Sequence, residues 1–368
     1  MTGLRIVFAA HTAELGIFTV GSHHLSRGLA ARGHTVVHIA SPLTAMHGVK
    51  VRDEQVRARF AAARAGLVRE SAQYATLVPL LAAPVPPAAL ISSARWWRSE
   101  VGSGLRDARA FLGGRVDLII LDQPMMCTLA EHLDAAAVIV RSTDVVTEAQ
   151  KQRGFARAVA TASGLIGTSP QALEQLVGFD DRQLPTELIA NGVDFERFAA
   201  HDVPWSQRSG CVYVGALDER FDWDFVRTAA RGLPTERFDV YGPAEGTVED
   251  LPANVRLCGA VPYAQVPEIL SRYRVGLLPL VDSAANHGRS PMKLYEYLAA
   301  GLAVVASAAD SLPTDLQGSH LVPMGATPAP ALTAALAHEP GGAARAAAQA
   351  MGWPARLDLL EEFIRDCR

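Results

Sequence analysis

NHGRSPMKLYEYLAAGLAVVA, residues 286–306, sets a loop, a helix start, a cationic side chain and a carboxylate next to one another, and its reading decides the rest. Ser290 is predicted to cap a helix, and Pro291 suits its first turn, where a missing N–H costs nothing. Free backbone N–H groups around Met292 and the positive end of the helix dipole then face an anion, and a diphosphate fits. Lys293 adds a point charge in the same turn. Glu296, one turn later, offers a carboxylate that two ribose hydroxyls can reach. Gly301 ends the helix and AVVAS (303–307) reads as a buried parallel strand. An ordinary amphipathic helix with a surface Lys–Glu pair satisfies the same spacing, so other stretches must support the reading.

The run closely resembles the nucleotide-binding segment of GT-B glycosyltransferases. Its S-P-M-K-L-Y-E-Y-L-A-A-G form is most similar to the branch that includes the xanthan glucuronosyltransferase. Residues 14–34, 141–144 and 191–198 carry further motifs of that resemblance. It implies an α/β fold of two doubly wound, Rossmann-like parallel-sheet domains, with a C-terminal helix crossing back to the first. The nucleotide sugar would lie on the second domain and the acceptor on the first.

Composition agrees. The 368 residues suit two domains, and 49% hydrophobic with 20% charged residues is globular. Cys127, Cys211, Cys258 and Cys367 show neither a CxxC nor metal-ligand spacing, which argues against disulfides and zinc and suits a reducing cytoplasm. No apolar run reaches bilayer-spanning length, and the N-terminus reads directly as a strand, so neither secretion nor membrane insertion is expected.

Short apolar runs alternate with amphipathic ones, the pattern of parallel sheets with helical crossovers. Strands are predicted at 4–10, 35–40, 76–80, 116–121, 137–140 and 164–168, then at 211–214, 238–241, 255–257, 275–278 and 303–306. Helices start at Asp222, Tyr263 and Pro291. NGVDFERF (191–198) marks the join, giving domains 1–190 and 191–352, with a terminal helix 353–368 after a Gly352-Trp353-Pro354 break.

Ligands in such folds sit beyond the carboxyl ends of the strands. After the first strand, Gly16 and Gly21 permit tight turns, Ser22 can cap the next helix, and His23 and His24 occupy its first turn. Structural histidines are the plainer reading; likeness to the family implies contact with acceptor or phosphate. Arg141-Ser142-Thr143-Asp144 follows another strand, and Asp144 is a candidate general base. Its plain alternative is a helix cap. By resemblance an Arg-x-x-Asp here is the catalytic-base segment, although the second acidic residue common in relatives is replaced by Val145. Asp122 competes, or else orients its loop through Gln123 and Pro124.

On the second domain, Gly215 permits close backbone approach and Arg220 can pair with a diphosphate, while backbone near Val261 and Tyr263 would read the base. Retaining relatives carry a Glu eight residues before the position of Glu296; here residue 288 is Gly, which implies the inverting branch. Asp222-Trp223-Asp224 spells D-x-D but reads better as a capping pair, and no metal or other cofactor is expected because the helix end and Lys293 supply the positive field.

Residues 50–115 hold eleven Lys/Arg against five Asp/Glu in a chain of net charge −4. With Arg95-Trp96-Trp97-Arg98 and an apolar run, this segment suits an anionic bilayer surface. Solvated arginines around packed tryptophans are the other reading. Nucleic acid is not an expected partner. The sequence reads as an inverting, metal-independent transferase that uses a nucleotide-diphosphate sugar, UDP-linked by resemblance, with a lipid-linked glycan or small soluble acceptor. A nucleotide-sugar 2-epimerase, a retaining transferase and a non-catalytic binding subunit are the alternatives.

Overall fold

Runs such as RIVFAA, LIIL and AVVAS offer water no polar face, so they form strands only where helices cover both sides of a sheet. Almost every residue of the three is buried. The computed structural model describes residues 3–15, 19–44, 47, 54–82, 97–98, 100–102, 104–201, 203–243, 248–310, 312–314 and 316–368, with backbone alone at 54 and 55. They divide into two units, Met1–Ala190 with Leu357–Arg368, and Asn191–Arg356.

The first unit contains β1 (Arg5–Ala10), β2 (Thr35–Ala40), β3 (Leu43–Thr44), β4 (Val68–Arg69), β5 (Tyr74–Leu77), β6 (Leu80–Leu81), β7 (Leu118–Leu121), β8 (Val138–Ser142), β9 (Gly164–Gly167) and β10 (Thr186–Leu188). An eight-stranded sheet runs β10-β9-β8-β7-β1-β2-β5-β4, antiparallel only at β4, and β3 pairs with β6. The second unit contains β11 (Cys211–Val214), β12 (Phe238–Tyr241), β13 (Val255–Gly259), β14 (Val275–Leu278), β15 (Ala303–Ser307) and β16 (Ser319–Val322). These form one parallel sheet ordered β13-β12-β11-β14-β15-β16. Strand order reverses beside β1 in the first unit and between β11 and β14 in the second, where such sheets open a crevice.

The helix Met292–Ala299 is seated by one tyrosine. Gly276 of β14 leaves room for the Tyr297 ring, which an added Cβ would approach to 2.2 Å, and the Tyr297 hydroxyl accepts a hydrogen bond from the Val214 N–H at 3.0 Å. At the other end Gly301 takes φ +78°, a left-handed conformation that ends the helix. The buried Arg208 donates to the Ala300 carbonyl at 2.8 Å, satisfying a group the helix cannot.

The terminal helix is Trp353–Asp366, with Pro354 in its first turn, so the expected break falls before Trp353 and not across it. From Leu357 onward it belongs to the first unit. Leu357 covers Gly28, Phe363 and Cys367 cover Gly164, and Leu360 and Ile364 are fully buried. Glu361 receives Arg32 at 2.7 Å and contacts His34 at 3.0 Å.

Three expectations change. The strand expected at 76–80 lies at Tyr74–Leu77, because Pro79 has no N–H for the ladder. The strands at Thr186–Leu188 and Ser319–Val322 lack buried apolar runs and were not anticipated. Trp97 cannot anchor in a bilayer, being 1% exposed with its indole N–H donating to Thr128 Oγ1 at 3.1 Å. Arg98 is exposed, whereas Gly16, Arg95 and Trp96 lie outside the described residues. No helix among the described residues is long and apolar enough to cross a membrane.

Candidate functional site

Each unit gathers side chains at the carboxyl ends of its strands. In the second unit the loop after β11 meets the helix after β14. A Cβ on Gly215 would lie 2.2 Å from Lys293 Cε and 2.8 Å from its Nζ, so the glycine provides the space that the lysine fills. The ammonium rests 5.8 Å above the Tyr213 ring, and no carboxylate among the described residues forms an ion pair with it. Burial, with Arg289 nearby, pushes the Lys293 pKa down to about 8. A desolvated cation with a second cation beside it is stabilised by an anion.

Glu296 is 6% exposed and accepts a hydrogen bond from the Tyr263 hydroxyl at 2.8 Å. Burial raises its pKa, against the pull of Lys293, Tyr263 and Arg197. Tyr263 thus acts through its side chain as well as standing in the turn expected to read the base. Val261 packs on the core of the second unit, and Pro262 caps the turn Tyr263–Gln265.

One detail of the expected clamp is corrected. Ser290 does not cap the helix: Pro291 is the N-cap and Met292 the first helical residue. The Ser290 hydroxyl instead accepts from the Asn191 N–H at 3.1 Å, and Asn191 Nδ2 donates to the Ser290 carbonyl at 2.9 Å, which diverts the serine. Arg220 is held by both oxygens of Asp218 and holds that carboxyl below the usual range. In the D-x-D, Asp222 caps its helix by accepting from the Phe225 N–H at 2.9 Å, and Asp224 pairs with Arg227.

In the first unit Asp144 follows β8 in a turn pinned by side chains. Ser142 Oγ donates to the Asp144 carbonyl and Thr168 Oγ1 to the Thr143 carbonyl, each at 2.9 Å. The next helix, Ala149–Val159, has Glu148 as its N-cap, so Asp144 is not its cap. Arg141 lies on the same strand, β8. It is buried against Asp122 at 2.6 Å, both side chains being at most 2% exposed. Burial raises the Asp122 pKa to about 6 despite the guanidinium, and its Oδ1 has no partner.

His11, at the end of β1, went unnoticed in the sequence. Gln123 Nε2 donates to His11 Nδ1 at 3.0 Å and lies 2.8 Å from Ser41 Oγ, tying together the loops after β1, β2 and β7. Burial lowers the His11 pKa, although Asp144 pulls it upward. A histidine directly after a predicted strand was the available signal.

The helix Gly21–Ala31 starts differently from expectation. Ser22 is buried in its first turn, Val20 is the N-cap, and His23 Nδ1 accepts from the Val20 N–H at 3.3 Å. His23 Nε2 meets the Thr12 carbonyl at 3.2 Å, and the side chain is fully buried. It therefore holds the loop, while His24 is partly exposed.

Residues 220–356 match a family model described as glycosyl transferase-like. A Bacillus subtilis protein named as a teichuronic acid biosynthesis glycosyltransferase is 30% identical over 133 residues, 32% of this chain. That match spans 33%, about a third, of the relative's length. The fold is similar to sucrose-phosphate synthase of Thermosynechococcus elongatus, with TM-score 0.69, 16% identity and 98% of each chain covered. It is also similar to the Anabaena protein HepE, solved with UDP and glucose, with TM-score 0.66, 12% identity and 98% and 99% coverage. The architecture is that of GT-B glycosyltransferases.

Proposed function

We propose that the chain is a glycosyltransferase that moves a sugar from a nucleoside diphosphate to an acceptor hydroxyl. The carrying observation is the meeting of Gly215 and Lys293 where strand order reverses between β11 and β14, with Glu296 one turn further along the helix. Lys293 and the helix N-terminus bind the diphosphate and Glu296 the ribose, while the turn at Val261–Tyr263 faces the base. UDP is the favoured leaving group; the UDP complex of HepE supports this. The branch that includes the xanthan enzyme remains our reading of residues 286–306.

Asp144 takes the proton of the attacking hydroxyl, and one displacement inverts the anomeric carbon. The cations at 289 and 293 and the helix end meet the diphosphate charge without a metal ion. His24 and the turn around Gly21 face the acceptor, with Ser22 and His23 shaping that turn from within. A lipid-linked acceptor would bring the protein to a membrane surface, and a small one would leave it cytoplasmic. A UDP-release screen over donors with both acceptor classes, in the presence of a chelator, tests the reading. Release of nucleotide with an inverted glycoside is expected. Conversion of donor to its epimer without acceptor would select the epimerase instead.

A further inference from the structure

We propose that the Tyr263 hydroxyl is the group that fixes the Glu296 carboxylate for ribose recognition, so that this side chain sets how well the site separates a ribonucleotide from its 2′-deoxy counterpart. This rests on the nucleotide reading above.

The hydroxyl donates to Glu296 Oε1 at 2.8 Å, leaving Oε2 with both lone pairs for ligand hydroxyls. A buried carboxylate with no such donor would rotate or take up a proton. Tyr263 is itself held in place: Phe198 packs edge-on at 5.9 Å between centroids, and the Arg197 guanidinium lies 4.7 Å above the ring. The groups acting on Glu296 come from three elements. Lys293 lies on its own helix, Tyr263 on the turn after β13, and Arg197 on the helix Phe195–Ala199, and all three favour the ionised form against burial. Tyr263 is the one that touches it, so removing its hydroxyl moves the Glu296 titration upward and loosens the carboxylate together.

The test is calorimetry of UDP and 2′-deoxy-UDP from pH 5.5 to 8 with wild type, Tyr263→Phe, Glu296→Gln, the double variant and Arg197→Gln. Wild type should prefer UDP by about tenfold or more, the usual size of a hydrogen bond to a charged group. Tyr263→Phe keeps the ring and should retain about threefold preference or less, losing affinity for UDP and not for the deoxy form. Its acid-side loss of UDP affinity should begin at higher pH. In the Glu296→Gln background the tyrosine substitution should change nothing. Arg197→Gln, which removes the cation over the ring but leaves the hydroxyl, should lower the preference less than Tyr263→Phe does.

Wild-type preference and pH profile in a folded Tyr263→Phe overturn the proposal, as does an equal loss for both nucleotides. Wild-type preference in Glu296→Gln overturns it too, even if Tyr263→Phe does not fold. If wild type binds no nucleoside diphosphate, the nucleotide reading itself has failed.

Discussion

Gly215 and Lys293 are complementary in volume: the methyl group absent from one is the space occupied by the end of the other. Gly215→Ala therefore acts on the lysine. Its tip is mobile and gives way first, so stability should change by no more than about 1–2 kcal/mol. UDP affinity should fall by about tenfold or more as the ammonium is displaced. Calorimetry with a thermal melt separates the effects; equal UDP affinity in a folded variant would remove Lys293 from the site.

Lys293→Ala should lose about 1.5–3 kcal/mol of charged hydrogen bonding, a ten- to hundredfold loss of UDP affinity. The pH dependence has a definite sign. Free Lys293 titrates near 8, below its ordinary 10.5, and the diphosphate prefers the cation. Wild-type affinity should decline as pH rises through 8, and Lys293→Ala should lack that decline. For folding the sign is opposite. Between 8 and 10.5 the unfolded chain holds more protons at this group, so its contribution to stability increases with pH.

Asp144 and Asp122 should separate cleanly. Asp144→Asn keeps the shape but cannot take a proton, and should lower kcat by about 10²–10⁴ with UDP affinity retained. Asp122→Ala removes the carboxylate that a buried guanidinium faces and should cost about 3–5 kcal/mol of stability. Rate assays and denaturant titrations of both variants check this; near-normal turnover in Asp144→Asn would exclude it as the base.

His287 stands between Asp282 at 2.9 Å and Asp310 at 3.3 Å, and these carboxylates raise its pKa above 6.5. The stabilisation is complete below 6.5 and disappears as pH rises through the raised value. Melting temperatures of wild type and His287→Gln should differ at pH 6 and converge at pH 9.

Much of this arrangement was legible because it follows local rules. LIIL and VGLL declare buried strands, Gly301 ends a helix at the expected residue, and Asp222 caps the helix it precedes. Side-chain partners set by distant chain were not legible. Nothing near Ser290 announces that Asn191 will occupy it, and nothing near Arg141 shows that Asp122 will receive it. Tyr263 and Glu296 are likewise joined only by the fold. His23 reads in sequence either as a structural histidine or as a ligand-facing one, and only the fold shows the Thr12 carbonyl it meets.

The return of residues 357–368 to the first unit has a consequence for biosynthesis. That unit's groove over Gly28 and Gly164 can be filled only after the whole second unit has been translated. At roughly 5–20 residues per second the wait is on the order of ten seconds or more. During it the surface later covered by Leu360, Phe363 and Ile364 stays open to solvent. Completion of the first unit is thus timed by the synthesis of the second.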